Sequence, residues 1–426
     1  MNYSEALTYI HRISSLGSHP GLDRISELCR RLGNPQDTLR FVHVAGTNGK
    51  GSFCAMLASV FRAAGYRTGL YTSPFVRLFN ERIMVNGCPI PDNRLAELMT
   101  RVAAQADQMA DPPTEFELIT ALGFLYFAEE HCDIVVLEVG LGGRLDATNI
   151  VNTQLLSVIT DISLDHTAIL GETVELIAAE KAGILRPNVP VTSGCLNPSA
   201  QHVIRTRARE ISAPFRAALR GKVKLRSCNL EGSVFDYKKR RNIRISLCGV
   251  YQPENAARVL DAIDVLKENG TDIPESAVRN GLLNAVWPAR FELLREDPIT
   301  IFDGGHNPNG IDALLRSLRT VFPGQRFVLL TGVMRDKDHS KMIAELAPVT
   351  IRAFTFTPDN PRAMCAEDYA AEFTAVGIDA FPCSSAADGL QKASDAAKDF
   401  GIPLIICGSL YSYAAIRDAL DSDSHK

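Results

Sequence analysis

The run FVHVAGTNGKGS, Phe41 to Ser52, ends in a lysine framed by glycines directly after an apolar stretch. That arrangement suits an anion, because backbone N–H groups at a helix start and a nearby ammonium converge on phosphate-type oxygens. The spelling departs from the common pattern G-x-x-x-x-G-K-[ST]. Aligned on Gly49-Lys50, Val44 stands where the first glycine belongs and Gly51 where the hydroxyl belongs. Thr47, Asn48, Gly49, Lys50, Gly51 and Ser52 are therefore candidate phosphate ligands. The alternative is a glycine-rich strand-to-helix turn with an incidental lysine.

Three further residues follow separate apolar runs: Ser73 after GLYT, Glu138 within IVVLEVG and His166 after SVITDISLD. Side chains at the carboxyl ends of parallel strands share one crevice. A hydroxyl, a carboxylate and an imidazole there could hold Mg²⁺ against a bound phosphate. Ser73 as a cap and His166 as a hydrogen-bonded structural histidine are the plainer alternatives. Glu138 is harder to explain away, since a carboxylate closing an apolar run is costly unless paired. Lys181 in AAEKAGI reads as an exposed helix lysine beside a glutamate. Asp303, His306 and Asn307 share IFDGGHNP, a turn whose glycines and proline are ordinary turn chemistry but whose acid and imidazole are not. Phe75 and Phe116 offer aromatic faces for a flat ring, or core packing. Arg82 in NER suits a carboxylate. Lys337, between Asp336 and Asp338, is a candidate cation or a solvated surface charge.

Short β-rich runs alternate with helical stretches, which argues for α/β layers around mainly parallel sheets. Expected strands in the first part are Phe41–Ala45, Thr68–Tyr71, Asp133–Val139, Leu155–Thr160 and Val189–Ser193, with helices at Ser52–Ala64, Glu117–Glu130 and Val174–Ala182 between them. Lys222–Leu247 alternates in character and reads as a small antiparallel patch. After a helix over Pro253–Glu268 the chain restarts near Trp287, with strands at Ile299–Phe302, Arg326–Leu330, Ile351–Phe356 and Leu404–Cys407. The expected division is 1–286, a phosphate-loop domain holding the antiparallel patch, and 287–426, a smaller Rossmann-like α/β domain. The final DSDSHK reads as a frayed tail.

At 426 residues the chain exceeds one ordinary core. Its net charge of −4 gives no whole-chain basic field for nucleic acid. Ten cysteines lie scattered without a CxxC pair, as in a reducing compartment. The amphipathic start MNYSEALTYIHRISS lacks the order of a secretory signal, and no apolar run approaches the ~20 residues of a membrane span. The expectation is a cytoplasmic protein with no membrane and no nucleic acid, most simply a monomer.

GTNGKGS, with LDRI, TSPF, FNERI, TEFELITA, LEVGLGGRLDATN, LDH, EKAGIL, WPARFE, DGGHNP, DKD and GSLY in that order, resembles the Mur ligase superfamily of ATP-dependent amide-forming enzymes. Within it the match is to folylpolyglutamate and dihydrofolate synthases, and it covers nearly the whole chain. In that family the shortened loop is the normal form. The resemblance implies a ligase that joins L-glutamate to reduced folate or dihydropteroate through an acyl phosphate. It makes Lys50, Lys181 and His306 catalytic. ATP falls to the loop, Asn255 near the adenine, Arg290 at the phosphates and Asp303. Substrate falls to Phe75, Arg82, Phe116, Asp146, His306 and Ser409. Ser73, Glu138, His166 and Lys181 become ligands of two Mg²⁺, the lysine as a CO₂-derived carbamate. A dihydrofolate synthase alone, a phosphate-loop kinase and a nucleotide-binding module are the rivals. Relatives often show DGAHNP, WPGR and HQ where this chain has Gly305, Ala289 and Tyr251-Gln252.

Overall fold

A computed structural model describes residues 1–13, 21–217 and 222–423. They form two compact units, the first comprising Met1–Phe75, Phe79–Val223 and Asn255–Ala285, the second Val76–Leu78, Lys224–Glu254 and Val286–Lys426.

The first unit is built on β1 (Phe41–Ala45), β2 (Thr68–Tyr71), β3 (Ile83–Val85), β4 (Cys88–Pro89), β5 (Ile134–Glu138), β6 (Gln154–Ile159), β7 (Val191–Ser193) and β8 (Phe215–Ala217). They order as β4-β3-β2-β5-β1-β6-β7-β8. From β2 to β8 every pairing is parallel, while β3 and β4 add an antiparallel edge hairpin. Every residue of β1 and β5 is buried, as expected of strands covered on both faces, and this is why both read as mainly apolar, with only His43 and the closing Glu138 polar. Because β5 lies between β2 and β1, the chain reverses its direction of strand addition here. The carboxyl ends of β1, β2, β5 and β6 therefore open on one crevice. The hairpin was not expected. Its signal was Asn86-Gly87, both at positive φ (53° and 81°), the pair that a tight hairpin turn prefers.

The second unit holds β9 (Val223–Asn229), β10 (Gly232–Tyr237), β11 (Arg240–Ile245), β12 (Glu292–Glu296), β13 (Ile299–Phe302), β14 (Phe327–Thr331), β15 (Thr350–Thr355), β16 (Asp379–Pro382) and β17 (Leu404–Cys407). The larger sheet orders as β12-β13-β17-β14-β15-β16, with only β12 antiparallel, and the smaller as β11-β10-β9.

The contact grouping does not follow the linear division at 286/287. The antiparallel patch belongs with the second unit, where Leu230, Cys248 and Tyr251 pack against a cluster that includes Phe291, Ile301 and Ile311. The Val250 N–H also donates to Ser317 Oγ at 3.1 Å. Val76–Leu78 belongs there too: Val76 joins a core with Phe302 and Leu330, and Arg77 pairs with Asp418 and Asp421. Asp421 is accordingly not frayed but lies in the helix Tyr413–Asp423; residues 424–426 fall outside the described ones. Among the described residues no helix is long and apolar enough to cross a membrane.

Candidate active site

The loop after β1 is held by the end of β6. The Thr47 N–H donates to the Asp161 carbonyl at 2.7 Å, and the Thr160 hydroxyl donates to the Asn48 carbonyl at 2.8 Å. Two glycines make this possible. Gly46 has φ 155°, and a Cβ on it would lie 1.9 Å from Thr160 Oγ1; Gly49 has φ 83°, in the left-handed region. Gly49 stands as N-cap of the helix Lys50–Ala63, which has no side-chain cap and no acid in its first turn. An uncapped helix start of this kind suits an anion. Lys50 Nζ folds over the loop, donating to the carbonyls of Gly46 (3.1 Å) and Thr47 (3.3 Å), 3.9 Å from Glu138 Oε1. Asn255 abuts the same turn, its Oδ1 2.7 Å from where a Gly49 Cβ would be. Arg258 Nη1 donates to that oxygen at 2.7 Å, a partner that sequence reasoning missed.

Glu138 closes β5, buried, beside Ser73 after β2. The Ser73 N–H donates to Glu138 Oε2 at 3.4 Å, while the buried Ser73 hydroxyl has no hydrogen-bond partner. Lys181 is buried in the last turn of the helix Val174–Ala182, which overturns the reading of an exposed lysine. Burial first, then the neighbouring Lys50 ammonium, bring its pKa down to about 7, against the opposing pull of Asp165 and Asp146. His166 is the outlier of this group. It sits at φ 50° before a short helix, its side chain 40% exposed. Among the described residues no three His, Cys, Asp or Glu side chains come together as a ready metal site. Glu138 and Ser73 are together.

A second cluster of side chains follows β2. The Arg82 guanidinium lies 5.3 Å from the Phe75 ring and 5.6 Å from the Phe79 ring, and its buried Nε has no hydrogen-bond partner. A cation beside two aromatic rings with an unspent donor is suited to a carboxylate. Phe79 was quoted within FNERI without a role. Phe75 and Phe116 are both partly buried against the main core, so each contributes to packing as well. Asp146 is buried and fully engaged: its carboxylate takes the N–H groups of Gly140, Leu141 and Thr148 and the Thr148 hydroxyl. As placed, it braces the GGRLDATN loop. Behind it, the fully buried His43 contacts Thr148 Oγ1 at 2.9 Å and Gln154 at 3.1 Å.

In the second unit Asp303 ends the loop side of β13. Its Oδ2 accepts from the Tyr251 hydroxyl (2.7 Å) and the Phe291 N–H (2.9 Å), its Oδ1 from the Gly305 N–H (2.8 Å). Burial pushes its pKa up, opposed chiefly by the half-buried Arg290. His306 Nδ1 meets the Gly304 carbonyl at 2.9 Å; a carbonyl only accepts, so Nδ1 carries the proton. Asn307 caps the helix Pro308–Val321, and Ser409 caps the short turn Leu410–Ser412.

Residues 44–263 match the Mur ligase middle domain, and residues 289–410 match the Mur ligase glutamate ligase domain. The dihydrofolate synthase/folylpolyglutamate synthase of Bacillus subtilis is 39% identical over 429 residues, 98% of this chain and 99% of its own. The chain belongs to this folate-ligase family. The folylpolyglutamate synthase of Lacticaseibacillus casei is 36% identical, covering 99% of both chains. A structure of Escherichia coli FolC in complex with DHPP and ADP matches with a TM-score of 0.86 at 31% identity, over 100% of this chain and 99% of that one. Family membership accounts for the fold in both units.

Proposed function

We propose that this chain is an ATP-dependent ligase that adds L-glutamate to a folate carboxylate, serving as a folylpolyglutamate synthase and, on dihydropteroate, as a dihydrofolate synthase. The observation that carries the reading is the succession on one chain of a Mur ligase middle domain and a glutamate ligase domain. A phosphate-loop kinase or a nucleotide-binding module accounts for the first and leaves the second idle.

The γ-phosphoryl group of ATP passes to a carboxylate oxygen of the folate, giving an acyl phosphate and ADP. The amine nitrogen of glutamate then bonds to the acyl carbon, the bond from that carbon to the phosphate oxygen breaks, and the amine proton leaves. Such a transfer needs positioning and charge neutralisation above all. The N–H groups of residues 50–52 and the Lys50 ammonium would take phosphate oxygens, leaving their present contacts with loop carbonyls. Asn255 would face the adenine and Arg290 the phosphates. Arg82 would take a folate carboxylate, with Phe75 and Phe116 against the pterin. With Nδ1 protonated, His306 has Nε2 as its accepting nitrogen, suited to the amine of glutamate. Asp303 and Ser409 act by bracing the loops around it.

The residues present fit Mg²⁺ in part. Ser73 has a partnerless buried hydroxyl beside the Glu138 carboxylate, whereas the His166 side chain is 40% exposed. When bound, Mg²⁺ neutralises charge on the phosphate oxygens. Lys181 fits the carbamate reading through its burial and lowered pKa, which leave an amine able to take up CO₂ near neutral pH. A cytoplasmic location is consistent with ten cysteines all in the free thiol form.

The test is ADP release with tetrahydrofolate or dihydropteroate, with and without glutamate. Sustained release that requires both substrates supports the ligase. Equal release without glutamate marks a kinase, and no release from folded protein marks a binding module; either overturns the reading.

A further inference from the structure

Arg290 is presented by a turn of unusual backbone. Ala289 has φ 60° and Phe291 φ 48°, so two non-glycine residues in left-handed conformation flank the arginine. Such residues persist only where the surroundings over-determine them, and they gather at working sites. Here three hydrogen bonds hold the turn. The Ala289 N–H donates to Glu292 Oε2 at 2.7 Å, the Gly304 N–H donates to the Ala289 carbonyl at 2.9 Å, and the Phe291 N–H donates to Asp303 Oδ2 at 2.9 Å. The last of these depends on where the Asp303 carboxylate points. That oxygen is shared with the Tyr251 hydroxyl at 2.7 Å.

We infer that Tyr251 is a positioning residue for the nucleotide step, fixing the Asp303 carboxylate so that it pins the strained Ala289–Phe291 turn and with it Arg290. The inference rests on the proposed role of Arg290 at the ATP phosphates. Tyr251 is well placed for it. It precedes the helix Gln252–Glu268, and its ring packs against the cluster that contains Phe291. The groups that act on its hydroxyl are Asp303, Arg290 and Cys248. Burial and then Asp303 push the phenol pKa well above its ordinary value, so the hydroxyl stays a donor throughout the working range. Tyrosine and histidine side chains can both supply a hydrogen-bond donor.

The test compares Tyr251→Phe, which keeps the ring and removes the donor, with Tyr251→His, which restores one. Two readouts are taken: hydrogen exchange at the Phe291 amide without nucleotide, and KM for ATP beside kcat. In Tyr251→Phe the Phe291 amide should exchange about tenfold faster and KM for ATP should rise about tenfold, with kcat within about twofold. Tyr251→His should recover most of both. Wild-type exchange and KM in Tyr251→Phe overturn the inference. So does a Tyr251→His enzyme no better than Tyr251→Phe, since ring packing and not the donor would then matter. If the wild type shows no ligase activity the functional reading fails, while exchange at Phe291 still decides the role of Tyr251.

Discussion

Replacing Lys181 probes the chemistry that burial makes available. An ordinary lysine with pKa 10.5 has roughly one amine in three thousand neutral at pH 7. At the value of about 7 set by burial and Lys50, about half are neutral. Only the neutral amine can bond to CO₂ and release a proton to give the carbamate. Isotopically labelled bicarbonate should therefore produce a carbamate carbon signal and a mass increment of one CO₂ in wild type. Both should vanish in Lys181→Ala and Lys181→Arg, with activity down by about 100-fold or more, near the size of a lost catalytic group. Acetate or formate should partly rescue Lys181→Ala and leave Lys181→Arg inactive, since a guanidinium keeps its positive charge. The sign of the stability effect also follows. The unfolded chain binds the proton that the folded one sheds between pH 7 and 10.5, so stability in CO₂-free buffer rises across that window. Replacing Lys181 by Met should raise Tm most at or below pH 7 and least near pH 10. An active enzyme with a free amine under CO₂ would refute the carbamate, and an active Lys181→Arg would refute the need for negative charge there.

Lys50→Ala should lose ligase activity by about 100-fold or more in protein that still folds, because the ammonium that now meets loop carbonyls and Glu138 at 3.9 Å is no longer there to take phosphate oxygens; turnover near wild type in folded protein would remove the loop from the phosphate site. Arg82→Ala should raise KM for the folate substrate about tenfold or more, from loss of a charge-assisted hydrogen bond of about 1.5–3 kcal/mol, and KM for ATP serves as the unaffected control. Phe53→Ala, at a fully buried position of the helix behind the loop, should cost about 3–5 kcal/mol by denaturant titration; a loss under about 1 kcal/mol would show that this helix is not part of the core.

Much of the fold was legible because parallel strands covered on both faces leave mainly apolar runs. Phe41–Ala45, Thr68–Tyr71, Ile299–Phe302 and Leu404–Cys407 were expected to the residue. Strands that are short or half exposed left no such trace: Ile83–Val85, Cys88–Pro89 and Asp379–Pro382 went unseen. The helix after the loop starts at Lys50, two positions before the expected Ser52, because left-handed Gly49 already serves as its cap. The antiparallel patch was recognised in kind, while the residues it packs against, Phe291 and Ser317 among them, lie far along the chain where no local pattern records them. The site divides the same way. Lys50 and Glu138 are written in local motifs, and the structure brings them within 3.9 Å. The burial of Lys181, the approach of Arg82 to the Phe79 ring and the grip of Tyr251 on Asp303 arise from tertiary packing that no local spacing records.

The central claim is that ATP activates a folate carboxylate before glutamate attacks. It is tested most directly by carrying a heavy-oxygen label in the carboxylate of the folate substrate and analysing the phosphate released. An acyl phosphate leaves one carboxylate oxygen on phosphorus when the amine displaces it, so labelled phosphate should appear in step with each amide bond formed. Unlabelled phosphate accompanying amide formation would contradict the account.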